Sequence, residues 1–190
     1  MTKTALIVVD AQQTFKNTAY WSESDLPDYL AQQQRLIDGC AARGVPVVQI
    51  FHASEQGPFA VAADRRAIDG LNIHPTVTLT KQVHSALAGT GLMAWLIARG
   101  ITHLIVSGIR TEQCCETTTR QASDAGFKVD FVTEATLTFP MRHAGGRVYT
   151  AAEIRERTEL VLDGRFARIF TVDGALAALD ARTVPLAAAA

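Results

Sequence analysis

Six short apolar runs, separated by longer stretches of helical periodicity, constrain this chain more than any other feature. Ala5–Val9, Val45–Phe51, Val77–Leu79, His103–Val106, Lys128–Val132 and Ala167–Val172 have strand length and are rich in β-branched residues. Apolar side chains on both faces are what the central strands of a parallel sheet need, because helices cover such a sheet above and below. Between the first two runs, residues 26–42 place Leu26, Leu30, Ile37, Cys40 and Ala41 on one helical face, and Gly44 supplies a stop. Residues 90–98, 114–125 and 151–162 read as further helices, followed by Gly100, Gly126 and Gly164. Ile154, Thr158, Val161 and Leu162 form the inner face of the last of them. The alternation predicts a three-layer α/β/α sandwich around a mostly parallel, Rossmann-like six-stranded sheet with right-handed crossovers.

A chain of 190 residues without internal repeat or linker reads as one domain spanning 1–190, with residues 183–190 as a fraying, alanine-rich tail. Eighteen basic against 19 acidic residues leave a net charge of −1, which argues against nucleic acid or an anionic membrane as partner. No apolar run has the length to span a bilayer. The chain enters its first strand at once, with no signal-peptide pattern, and its three cysteines make no disulfide framework. A reducing, cytoplasmic setting is expected.

Open parallel sheets bind ligands beyond the carboxyl ends of their strands. Asp10, His52 and Lys81 follow the first, second and third runs, and Gly108 with Cys114 follows the fourth, which brings Asp10, Lys81 and Cys114 to one rim. His52 is the histidine placed nearest the pocket, with a polar loop residue as its alternative. A carboxylate behind four apolar residues is costly unless paired or catalytic; a helix cap is the other use of Asp10. Lys81 is either a solvated strand end or part of the convergence. Cys114 stands where a strand gives way to a helix, whose terminal charge favours a thiolate; a small buried filler is the alternative. The loops 12–24 and 52–75 carry Phe15, Tyr20, Trp21, Pro58 and Phe59 and read as apolar lids. His52, His74, His84, His103 and His143 show no metal-ligand spacing and the cysteines no Cys-x-x-Cys pair, so no metal is expected. The stretch from Gly89 to Ala94 fits a dinucleotide pattern in letters only, since it does not follow a strand directly, and no other cofactor motif occurs.

Three separated motifs, taken together, resemble the isochorismatase-like cysteine hydrolase superfamily over residues 5–179. The first runs from Leu6 to Phe15 around Asp10, the second from Thr80 to Leu92 around Lys81, and the third from Gly108 to Arg120 around Cys114. The resemblance implies Asp10, Lys81 and Cys114 as a catalytic triad, with Cys114 rather than Cys115 as nucleophile. It also implies a cis peptide before Arg110 and an oxyanion hole from the backbone N–H groups of Arg110 and Cys114. Gln12, Phe15, Trp21, His52, Leu87 and Phe139 are expected around the substrate; Tyr149 is a further candidate, and the Arg110 side chain is expected to face solvent. The implied activity is hydrolysis of a small amide, ureido or imide C–N bond through a thioester, without a cofactor, in a homo-oligomer. Two alternatives stand beside it: a vinyl-ether hydrolase of the isochorismatase type, and an idle binding or assembly subunit. Leu87 occupies a position where the family often has phenylalanine, and the metal-binding Asp-x-His of nicotinamidases is absent from residues 51–58.

Overall fold

Every residue of strand β1, Thr4–Val9, is buried, and its side chains divide between two helical layers. Leu6 and Val8 pack with Leu36, Ile37 and Cys40 of helix α1 (Leu26–Ala42) and with Val172, Ala175 and Leu179 of helix α5 (Val172–Thr183). Ala5, Ile7 and Val9 face the opposite layer. There they meet Leu92 and Leu96 of α2 (Leu92–Ala98), Ala122 of α3 (Glu116–Asp124) and Leu162 of α4 (Ala151–Leu162). Each such aliphatic side chain contributes roughly 1.5–3 kcal/mol on full burial, so the two-sided apolar pattern of β1 fixes the sandwich. The structure is a computed structural model that describes residues 3–183.

The other strands of the main sheet are β2 (Val47–His52), β3 (Val77–Lys81), β4 (His103–Ile109), β5 (Lys128–Leu137) and β8 (Arg168–Phe170). The sheet order is β3-β2-β1-β4-β5-β8, and each neighbouring pair is parallel. The chain leaves β1 towards β2 and β3 on one side and returns to β4 on the other. The switch point of the sheet therefore lies between the carboxyl ends of β1 and β4, where α/β proteins bind ligands. No helix among the described residues is long and apolar enough to cross a membrane.

Several elements depart from the sequence reading. Ala41 is exposed; Tyr29, Gln33 and Leu36 join Leu26, Ile37 and Cys40 on the buried face of α1 instead. The run at 167–172 is strand only from Arg168 to Phe170, and Val172 already begins α5, which its weak apolar periodicity conceals. A buried carboxylate holds this corner: Asp130 on β5 accepts from Arg168 at 2.7 Å and from Arg182 on α5 at 2.6 Å. A small antiparallel pair, β6 (Met141–Arg142) with β7 (Val148–Tyr149), carries Tyr149. The expected tail at 183–190 lies outside the described residues beyond Thr183, the last residue of α5.

The two long loops are pinned to each other. Gln12 bridges to Ala67, Thr14 Oγ1 donates to the Asp64 carbonyl at 3.0 Å, and Phe15 meets Phe59 edge to face at 5.1 Å.

Gly108 draws β1 and β4 together at the switch point. It pairs with Val9 where the β4–β5 register shifts, the extra residues lying on β5, at φ +125, and a Cβ added there would lie 1.9 Å from the Val9 carbonyl oxygen. No side chain relieves a clash with backbone, and the left-handed φ adds strain. Gly108→Ala is expected to lower stability by more than about 3 kcal/mol, read as a fall in the urea midpoint at unchanged slope.

Candidate active site

Alternation along β3 aims the lysine inward. Val77, Leu79 and Lys81 share the covered face, while Thr78 and Thr80 point outward. The result is a lysine that is only 1% exposed. An ammonium buried without partners costs several kcal/mol, so the surroundings must supply acceptors. Lys81 Nζ lies 2.6 Å from Asp10 Oδ2, donates to Cys114 Sγ at 3.3 Å, and meets His52 Nδ1 at 3.0 Å. The four side chains come from the carboxyl ends of β1, β2 and β3 and from the turn after β4. Strands put them on one rim, and the 2.6 Å contact leaves no space for intervening water.

Asp10 sits at φ 49, a left-handed conformation that is rare outside glycine, and its N–H donates to the Ile50 carbonyl on β2. That turn points the carboxylate along the rim rather than into a helix cap. Burial raises its pKa from 3.8 to about 6; the Lys81 ammonium pulls the other way without cancelling it. The difference amounts to ~3 kcal/mol of net desolvation against the charged form.

Cys114 does not lie on the first turn of α3. It falls inside a wide, π-type turn, Thr111–Cys115, and α3 begins at Glu116. The N–H groups of Gln113 and Cys115 both donate to the Arg110 carbonyl at 3.2 Å, which wraps the turn around the thiol. Burial and the nearby Asp10 carboxylate push the Cys114 pKa up to about 12, and Lys81 only moderates this. The expected preference for thiolate is therefore reversed at rest: desolvation outweighs the helix terminus. Asp10 is within hydrogen-bonding reach of the thiol.

The peptide bond between Ile109 and Arg110 is cis. The Arg110 side chain, expected in solvent, is 9% exposed and turned inward; its Nη2 lies 2.9 Å from Glu112 Oε1 and its guanidinium sits 4.8 Å from the Tyr20 ring. A stacked, ion-paired guanidinium tolerates burial because charge and flat face are both matched. Thr138 Oγ1 donates to the other Glu112 oxygen at 2.6 Å, so the pair is held from both ends. Glu112 was not a candidate from the sequence, because nothing local signals a partner two residues away across a turn.

The expected pocket residues separate into groups. Phe15, Phe139 and Trp21 join one aromatic cluster, with Phe139 5.4 Å from Trp21 and 6.4 Å from Phe15. Leu87 packs in the same apolar cluster as Cys114. Gln12 is fully buried and its amide is engaged by the protein: Oε1 accepts from the His52 N–H at 2.7 Å, and Nε2 donates to the His52 carbonyl at 3.1 Å and to Thr14 at 2.9 Å. Thr118 on α3 accepts from the Ala86 N–H at 3.0 Å and so ties the segment after Lys81 to the helix after Cys114. A hollow of about 1150 Å3 opens at the opposite, amino-terminal edge of the sheet, beside Thr4, His103 and Lys128, and shares no residue with this site.

A six-stranded parallel sheet with an acid, an amine and a thiol gathered at its carboxyl rim defines an α/β enzyme. Residues 4–153 match the isochorismatase domain, and the chain belongs to the isochorismatase family of hydrolases. An uncharacterised isochorismatase family protein of Bacillus subtilis is 30% identical over 181 residues, 90% of this chain and 93% of that protein. Nicotinamidase 3 of Arabidopsis thaliana is 42% identical over 72 residues, 38% of this chain and 36% of that one. An isochorismatase family structure from Chromobacterium violaceum superimposes with a TM-score of 0.86 at 28% identity, covering 95% of each chain.

Of the three cysteines, Cys40 and Cys115 are 0% exposed and Cys114 is 8% exposed. Iodoacetamide is expected to label Cys114 first in the native protein. Labelling should slow as pH falls through about 6, because protonated Asp10 no longer accepts the thiol proton. Peptide mass spectrometry across the pH range measures both.

Proposed function

We propose that this hydrolase cleaves a small amide, ureido or imide C–N bond through a Cys114 thioester. One observation carries the reading: a single buried ammonium, Lys81, stands 2.6 Å from an acid and 3.3 Å from a thiol. Asp10 takes the thiol proton as Cys114 Sγ attacks the carbonyl carbon, and Lys81 balances the negative charge as it moves from carboxylate to sulfur. The tetrahedral oxyanion is held by the backbone N–H groups of Arg110 and Cys114. As the C–N bond breaks, protonated Asp10 returns its proton to the leaving nitrogen. Water then adds to the thioester carbonyl, with Asp10 again taking a proton, and the acid product leaves while the thiol re-forms.

A base with a pKa of about 6 suits this cycle, since it is ionised at neutral pH yet close enough to it to hold a proton in passing. The partial match to a nicotinamidase supports an amide-type substrate. A near-neutral chain with net charge −1 supports a small molecule over a polyanion. The cytoplasmic setting and the homo-oligomeric state belong to the same reading.

Cys114→Ser is expected to lower turnover of a responsive amide or ureido compound by at least about 10³-fold, and Cys115→Ser to stay within a few-fold of wild type. Intact-mass spectrometry should find an acyl adduct on wild-type Cys114, and added hydroxylamine should divert it to a hydroxamate. Full turnover by Cys114→Ala would point to vinyl-ether chemistry instead. An inert panel together with an unreactive Cys114 would point to a binding subunit.

A further inference from the structure

An ammonium has three N–H donors and no acceptor. Lys81 Nζ stands 2.6 Å from Asp10 Oδ2 and donates to Cys114 Sγ, and its third neighbour is His52 Nδ1 at 3.0 Å. We infer that His52 is a positioning residue: its neutral imidazole takes the third N–H of Lys81 and so fixes the ammonium where it reaches acid and thiol together. The inference deepens the proposed function and rests on its assignment of Lys81 and Cys114 to the reacting set.

The sheet builds this contact. His52 is the register partner of Lys81 in the β2–β3 ladder, and directly paired residues of parallel strands project to the same face. His52 thus stands on the strand between Asp10 and Lys81, beneath the path the lysine side chain takes across the rim. Its backbone is clamped on both sides by the Gln12 amide, and its ring is met edge to face by Phe59 at 5.2 Å. Such double fixing of a histidine exceeds what a loop residue needs.

The tautomer follows from the partners. Lys81 only donates, so Nδ1 must accept. The neutral ring then carries its single proton on Nε2. Burial first, then repulsion from Lys81 and from His84 in the turn after β3, lowers the His52 pKa to about 4. The ring therefore stays neutral wherever Asp10 is ionised, and the acceptor persists throughout the working range.

With the Nδ1 acceptor removed, the ammonium keeps its charge but gains rotational freedom, and its hold on the thiolate weakens. The test compares His52→Asn, whose Oδ1 falls near the Nδ1 position, with His52→Gln, whose amide reaches only the Nε2 position; His52→Leu keeps bulk and removes polarity. The readout is the rate of Cys114 labelling by iodoacetamide against pH, with thermal melts to confirm folding. Gln and Leu are expected to slow labelling by about 10–100-fold, the range usual for residues that orient a reacting group, and Asn to restore most of it. Equal rates for Asn and Gln with a reactive wild type overturn the role of His52 and leave the thioester reading standing. A wild-type Cys114 that does not react at all brings both down. Independently, 15N shifts of the His52 ring should show Nε2–H with an unprotonated Nδ1 at neutral pH, and an Nδ1–H tautomer contradicts the inference.

Discussion

A lysine ammonium taken out of water is the constraint on which this structure turns. Lys81 is carried inward by the two-residue period of its own strand, and removing one partner of such a buried ion pair typically costs about 3–5 kcal/mol. The fold meets that demand at the ends of three strands and one turn. Gly108 permits β1 and β4 to approach closely, Asp10 turns left-handed to present its carboxylate, and the Arg110 carbonyl gathers two N–H groups to wind the turn that holds Cys114. Each of these local irregularities would be unfavourable alone, and together they surround a single positive charge.

The same desolvation sets the resting chemistry. Burial moves Asp10 up to about 6, Cys114 up to about 12 and His52 down to about 4. At neutral pH Asp10 is therefore a carboxylate, Cys114 a thiol and His52 a neutral imidazole. A thiolate is not stored there; in the proposed mechanism it forms when the proton passes to Asp10 as bond formation to substrate begins. The thiol is thereby protected from indiscriminate oxidation, since thiolate character governs that reactivity.

Much of this was legible in the residues. Two-sided apolar runs gave the parallel sheet, helices 26–42 and 151–162 agree with their observed bounds, and strand ends placed Asp10 and Lys81 on one rim. The residues alone leave Lys81 between a solvated strand end and the convergence, although its two-residue spacing from Val77 and Leu79 marks the covered face on which it is buried. What escaped depends on contacts between distant segments. Helix α5 is tied to β5 by Arg182 reaching Asp130 across 52 residues, and Arg110 is turned inward by Glu112, Tyr20 and Phe139. Gln12, expected around the substrate from the resemblance, uses its amide to clamp a backbone 40 residues away. The wide turn around Cys114 has no local signature that separates it from an ordinary helix start.

The central claim is that one buried ammonium governs the acid beside it, and a 13C NMR titration of the Asp10 carboxyl measures this most directly. The account predicts a midpoint near about 6 in the wild-type protein, moving upward in Lys81→Met, where burial remains and the attraction is gone. An Asp10 that titrates in the ordinary carboxylate range and ignores Lys81→Met would contradict it.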